Sequence, residues 1–354
     1  MVSFWTKLIL GILGSLPLLG CVDDEKLNAP ERILGAEIYK TEFDLRNLTM
    51  GLDRRVIGSK GKKLYRVADN GSNLELLYDF AHPITGIHVT PELDVVISTD
   101  TDIRDPASPC SIYISKQGEM EFSLVKQIAG ACALSWSFTS DRFSTLYMGE
   151  YGPKKPGIAK KVWRTTDKGK TWRIIFSEKD IVARETQKTH IHRVAIDPFT
   201  NYLWVTVGDG VYNRGIYLSK DGGESWKRQF KSQATGVAFT KNSIFWGEDD
   251  RLGVISEFNR KTGRNRVVLN ASENGNFGGS VYSLLMGARG TLYAAMMKYP
   301  DQSHIASLWS MKNGNWNRLI EYSSVDGVGV SVDSIAGPDS NGWIYVPGFK
   351  FLDR

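Results

Sequence analysis

Two segments of the chain, Thr165-Thr166-Asp167-Lys168-Gly169-Lys170-Thr171-Trp172 and Ser219-Lys220-Asp221-Gly222-Gly223-Glu224-Ser225-Trp226, obey one pattern at a separation of 54 residues. The pattern is Ser/Thr-x-Asp-x-Gly-x-Ser/Thr-Trp. Its chemistry is that of a tight hairpin: Asp bonds its own following amides, Gly supplies a positive φ, and Trp caps the apolar gap behind the turn. Looser copies stand between strand-like segments, and the six turn glycines, Gly71, Gly118, Gly169, Gly223, Gly263 and Gly314, are 40 to 54 residues apart. A repeat of that length with four strands per unit is the signature of propeller blades. The repeat therefore turns 354 residues, enough for two or three ordinary domains, into one radial all-β array.

Composition agrees. The 35 glycines are about a tenth of the chain against an ordinary ~7%, as many tight turns require. A hydrophobic share of 42% with 23% charged residues excludes a disordered chain. The balance of 44 Lys+Arg against 39 Asp+Glu, with no basic run, argues against a nucleic-acid partner.

Within one unit, alternating apolar and β-branched segments at 190–197, 202–208, 215–219 and 225–230 read as four antiparallel strands, A to D from the channel outward. Matching A and B pairs occur at 85–90 with 94–99, 134–139 with 145–149, 236–240 with 243–247, and 281–286 with 291–297. A last pair, 331–336 with 342–346, has no C and D after it, and the first hairpin, 63–67 with 74–78, has no A before it. The expectation is a six-bladed β-propeller of four-stranded antiparallel blades, closed by pairing N- and C-terminal strands in one blade. Seven blades is the alternative, should residues 36–58 supply further strands.

The first 28 residues begin with one cation, Lys7, followed by an uncharged stretch over 8–20 and then Asp23, Asp24 and Glu25. That is a signal-peptide pattern. Leu18-Leu19-Gly20-Cys21 resembles the lipobox of bacterial lipoproteins. The resemblance implies lipidation at Cys21, a signal peptide over 1–20, a polar tether over 21–34 and a single propeller domain over 35–354. It also implies a membrane as partner, through the lipid anchor, and a place in the bacterial cell envelope, facing the periplasm or at the cell surface. An ordinary secretory signal with an incidental Cys is the alternative. Cys110 and Cys132 can pair in an oxidising compartment, or stay as two separately buried thiols.

The paired boxes resemble the Asp-box, or BNR repeat, of sialidase-like β-propellers. By that resemblance Asp167, Gly169, Trp172, Asp221, Gly223 and Trp226 are structural, on C-to-D turns at the rim opposite the ligand face. The Phe/Tyr-Arg-Ile-Pro segment, the three Arg and the Tyr/Glu pair of true sialidases have no counterpart here. The nearest string is Arg32-Ile33-Leu34. The resemblance therefore implies the fold, and a binding or assembly role such as noncatalytic BNR-repeat proteins have.

Chemistry is expected at the B-strand ends and A-strand starts, near the channel mouth. Aligning the B strands puts Asp100, Glu150, Asp209 and Asp249 at nearly one place in four consecutive blades. Turn-forming strand ends are the plain alternative for these carboxylates. His190 and His192, two apart on a strand, share a face and can present two imidazoles to one divalent metal or one ligand. Glu150, Asp209, Asp249 and His190 are the catalytic candidates, with Asp100, His192, Arg193 and Tyr151 in the ligand-binding set. The four-lysine stretch 151–161 offers charge for an anionic ligand, and rim tyrosines offer faces for sugars. The leading reading is a lipid-anchored propeller that binds a carbohydrate or another ligand at this rim. A glycoside hydrolase or polysaccharide lyase acting on surface glycans, and a scaffold for a protein partner, are the alternatives.

Overall fold

The computed structural model describes residues 31–33, 38–41, 43–68, 71–102, 108–116, 119–151, 161–181, 190–209, 214–275, 277–298, 305–322, 332 and 334–353. The stretch 1–20 expected as a signal peptide, Cys21 and residues 152–160 of the four-lysine stretch lie outside them. Seven antiparallel sheets follow one another along the chain. Blade 1 spans Arg46–Met50 to Leu74–Asp79, blade 2 Ile84–Val89 to Ser123–Ile128, and blade 3 Phe138–Ser140 to Arg173–Phe176. Blade 4 runs from His190–Ile196 to Lys227–Phe230, blade 5 from Ala234–Phe239 to Arg264–Asn270, and blade 6 from Val281–Met286 to Asn315–Tyr322. Blade 7 combines Trp343–Val346 and Phe349–Leu352 with Ile38–Lys40 from the other end of the chain. Its inner edge is the bridge between Ala336 and Tyr345. Among the described residues no helix is long and apolar enough to cross a membrane.

The ring thus has seven blades, the alternative count, and the expected closure by the two chain ends holds. The leading count of six fails because Arg46–Met50 and Val56–Lys60 are strands and complete blade 1. Phe349–Leu352 then supplies the third strand of blade 7. The stretch expected as a tether is shorter at its far end, since Glu31–Ile33 pairs with the outer strand of blade 6.

The core lies between blades. Ile57 and Ile84 join blades 1 and 2, Cys110 and Phe138 blades 2 and 3, and Phe176 and Val205 blades 3 and 4. Trp204 and Trp246 join blades 4 and 5, Ile255 and Leu284 blades 5 and 6, Leu308 and Phe349 blades 6 and 7, and Tyr345 and Leu45 close the circle. The second strands, such as Val95–Thr99, Leu203–Gly208 and Leu292–Met296, are buried on both faces, whereas outer strands such as Ser123–Ile128 and Arg264–Asn270 stay largely exposed. Cys110 and Cys132 form a disulfide that ties the third strand of blade 2 to the entry of blade 3.

The two boxes fasten neighbouring blades at their outer edges. Asp167 Oδ1 accepts from the Thr171 amide at 2.9 Å and Asp221 Oδ1 from the Ser225 amide at 2.9 Å. Gly169 and Gly223 take φ of +83° and +100°, and a Cβ on either would lie 2.9 Å from the Cβ of Val125 or Ile175 on the preceding blade. Trp226 Nε1 donates to the Ile175 carbonyl at 2.7 Å. Both boxes thus lie on turns between third and fourth strands and pack on the preceding blade.

Candidate functional site

A bulge recurs in the inner strands, and it positions the site. In blades 2, 4, 5 and 6 the register between inner and second strand slips by one residue at Thr85, His192, Thr235 and Tyr282. A bulge leaves one side chain outside the ladder and re-aims it. Thr85 Oγ1 donates to the Ala133 carbonyl at 3.0 Å and Thr235 Oγ1 to the Val281 carbonyl at 2.8 Å, each on the next blade. His192 follows the same rule, with Nδ1 3.3 Å from the Ala234 carbonyl of blade 5. Tyr282 instead meets Trp136 of blade 3 across the channel, with ring centroids 5.2 Å apart. With Leu134, Met297 and Tyr151 these rings close that end of the channel.

Beside this aromatic floor, His190, His192, Asp209 and Asp249 converge. His190 Nδ1 lies 3.5 Å from Asp209 Oδ2, and His192 Nε2 lies 3.5 Å from Asp209 Oδ1 and 3.6 Å from Asp249 Oδ2. The imidazole side chains are 5% and 1% exposed, while the carboxylates of Asp209 and Asp249 keep 22% and 12%. Tyr151 stacks edge-on against His190, with centroids 4.4 Å apart. Asp209 reaches inward because its backbone is left-handed, with φ of 65°, uncommon for a residue other than glycine.

Two residues that sequence reasoning missed join the carboxylates. Gln233 Nε2 donates to Asp209 Oδ1 at 3.2 Å and to Asp249 Oδ2 at 3.4 Å. Ser280 Oγ donates to Asp249 Oδ1. In register, His190, Gln233 and Ser280 each stand two residues before the bulged residue of blades 4, 5 and 6. A polar arc therefore crosses three blades at one level. Aligning the residues two before each bulge, rather than the B-strand ends alone, would have found it.

Gly208 makes room for the ring between the two blades. A Cβ there would lie 1.8 Å from His192 Cε1 and 2.1 Å from Nε2, so no larger residue fits with His192 in place.

The electrostatics separate the two imidazoles. Burial pulls the His190 pKa down to about 4 against the opposing charge of Asp209. Burial also acts on His192, but the Asp209 and Asp249 carboxylates and the Ala234 carbonyl outweigh it and raise its pKa. Asp250, desolvated and next to Asp249, is held above the ordinary carboxylate range.

The other candidates lie elsewhere. Glu150 stands one step beyond Gly149, which pairs with Val162, and its amide donates to the Lys161 carbonyl at 2.9 Å, so its side chain turns to another face than that of Asp249. Its Oε1 accepts from Trp163 Nε1 at 2.8 Å, and burial raises its pKa. Asp100 closes its own loop, accepting from Ser108 Oγ at 2.7 Å and the Asp102 amide at 3.1 Å. The Cys110–Cys132 bond beside it keeps both sulfurs from ligating a metal. Arg193 makes no described ion pair with the cluster, and desolvation lowers its pKa to about 10.

No family model matches the chain, and no curated protein matches it. Among solved structures, the extracellular domain of a one-component system from B. thetaiotaomicron is 11% identical with a TM-score of 0.59, over 93% of this chain and 40% of that one. This chain thus spans less than half the length of that relative. A chain of the Mitotic Checkpoint Complex is 12% identical with a TM-score of 0.56, over 93% of this chain and 97% of that one. A chain of the Nidogen/Laminin Complex is 12% identical with a TM-score of 0.50, over 75% and 92%. At these identities the likeness is one of fold, and the chain takes its place among β-propellers on that ground.

Proposed function

We propose that this chain is a noncatalytic, lipid-anchored BNR-repeat propeller of the bacterial cell envelope, which binds a carbohydrate at the polar arc of blades 4 to 6. One observation carries the reading. Neither ring nitrogen of His190 nor Nε2 of His192 has a hydrogen-bond partner among the described residues, although both rings are buried. Buried polar groups left unbonded cost free energy unless a ligand completes them. Tyr151 and the carboxylates stand at the more open side of the cluster, an arrangement suited to a hydroxyl-rich ligand with one apolar face.

The anchor at Cys21 rests on its lipobox resemblance, and the disulfide between blades 2 and 3 accords with export to an oxidising compartment. The displacement of Glu150 from the cluster removes one of the three acid/base candidates and favours binding over hydrolysis. Glycan-array binding tests the proposal, comparing the wild type with Tyr151→Ala and Asp249→Asn. Selective binding that both substitutions weaken is the expected result, and binding indifferent to both sinks the reading.

A further inference from the structure

We infer that His190, His192, Asp209 and Asp249 form a binding site for a first-row divalent transition-metal ion of the zinc class. The assignment uses the site of the binding reading above and rests on that reading's placement of the ligand there, though not on the ligand being a sugar.

Three independent features point to it. The first is spacing. The imidazole nitrogens face carboxylate oxygens at 3.5, 3.5 and 3.6 Å, beyond the 2.7–3.2 Å of a hydrogen bond. Two ligands on a tetrahedral ion with bonds of about 2.0–2.1 Å are about 3.3 Å apart. One donor atom each from His190, His192 and Asp209 lies within 4.8 Å of the others, so modest inward motion would bring all of them onto one ion.

The second feature is the fixed tautomer of His192. Its Nδ1 faces the Ala234 carbonyl at 3.3 Å and donates to it, which leaves Nε2 as the atom aimed at the carboxylates. Metal-ligating histidines commonly give their other N–H to a backbone carbonyl or carboxylate in this way. Thr85 and Thr235 make the same interblade bond in their own blades. A histidine at this bulge therefore performs the structural task of a threonine and has a second nitrogen left over.

The third feature is the outer layer. Gln233 bridges Asp209 and Asp249, and Ser280 holds the remaining oxygen of Asp249. These bonds orient two carboxylates toward the His190 ring and Nε2 of His192, buried nitrogens with no hydrogen-bond partner among the described residues. Two nitrogen and two oxygen donors suit zinc and its first-row neighbours, whereas calcium and magnesium prefer all-oxygen sites.

The test uses purified protein stripped with a chelator and titrated calorimetrically with Zn²⁺, then with Co²⁺ while visible absorption is recorded. One Zn²⁺ per chain is expected, with affinity lowered more than 100-fold by His190→Gln or Asp209→Asn and roughly 10-fold by Gln233→Leu, the range seen for outer-shell partners. Asp100→Asn, at another blade's rim, should leave it unchanged. Zn²⁺ should also raise the thermal midpoint of the wild type and not of His190→Gln, a readout that separates lost binding from lost folding. No Zn²⁺ bound by the wild type, or binding that survives both ligand substitutions, overturns the assignment. Zinc binding without glycan binding sinks the carbohydrate reading alone, and glycan binding by a chain that takes no zinc sinks the metal assignment alone.

Discussion

Replacing Gly208 by Ala isolates the packing of the His192 ring from everything else at the site. A Cβ at 208 would stand 1.8 Å from Cε1, 2.1 Å from Nε2 and 2.4 Å from Nδ1 of His192. To regain an ordinary contact of 3.4 Å the ring must retreat by about 1.6 Å, more than its bond to the Ala234 carbonyl at 3.3 Å can survive. Overpacking of this kind costs about 1–3 kcal/mol. Gly208 shows no left-handed φ, so the substitution brings no backbone strain, and the lost flexibility of the unfolded chain alone would stabilise by about 0.4–1 kcal/mol. The two effects have opposite signs, and packing should win by about 1–2 kcal/mol. Urea unfolding of both proteins measures it. The double substitution Gly208→Ala with His192→Thr should recover most of the loss, because the bulges at Thr85 and Thr235 coexist with side chains at the register-equivalent Asp100 and Asp249. A Gly208→Ala protein as stable as the wild type, or no recovery in the double variant, refutes the reasoning.

Acid should destabilise the ring in two windows. Burial lowers the His88 pKa from 6.5 to about 4, so its neutral form is the folded one, and that contribution is complete above about pH 6.5 and is lost as pH falls toward 4. Asp167 is held at about 2, chiefly by its bonds to Thr171, so its contribution persists above about pH 4 and is lost between there and pH 2. His88→Gln should reduce the first loss and Thr171→Ala the second in acid-unfolding curves, and unaltered curves would contradict these assignments. The disulfide closes a span of 22 residues, for which the chain-entropy estimate gives about 3 kcal/mol. Cys110→Ser with Cys132→Ser should lower stability by about that much in denaturant titrations, and a change under 1 kcal/mol would show that the reduced chain retains the constraint in another way.

Most of the ring was legible because its sheets are repetitive and the boxes mark the outer hairpins. The inner strands at 84–89 and 281–286 and their partners fall where alternation placed them. Blade 1 was missed at Arg46–Met50, where Asn47 with φ of 53° and a one-residue register slip interrupt the period of two. The site was legible in part for the same kind of reason. His190, His192, Asp209 and Asp249 meet, but the spacing of the B-strand ends in sequence does not carry the register, which places Glu150 out of phase. Gln233 and Ser280 carry no motif of their own, and only the geometry of three neighbouring bulges brings them into line.

The seam in blade 7 has a consequence for timing. Ile38 pairs with Phe351, Tyr39 with Lys350 and Lys40 with Phe349, so the strands that close the circle lie at opposite ends of the chain, whereas the four strands of each of blades 1 to 6 are contiguous in sequence and only Glu31–Ile33 is added, at the outer edge of blade 6. Closing so long a loop adds little equilibrium cost, since that cost grows only logarithmically with length, but it is slow. As the chain emerges from its N-terminal end, six blades can form in succession while the seventh waits for residues past 346. During that wait the edges that will meet at blade 7 stay open to pairing with another chain. The seam is therefore the point at which the folding of this protein is most sensitive to crowding and to the rate at which the chain is delivered.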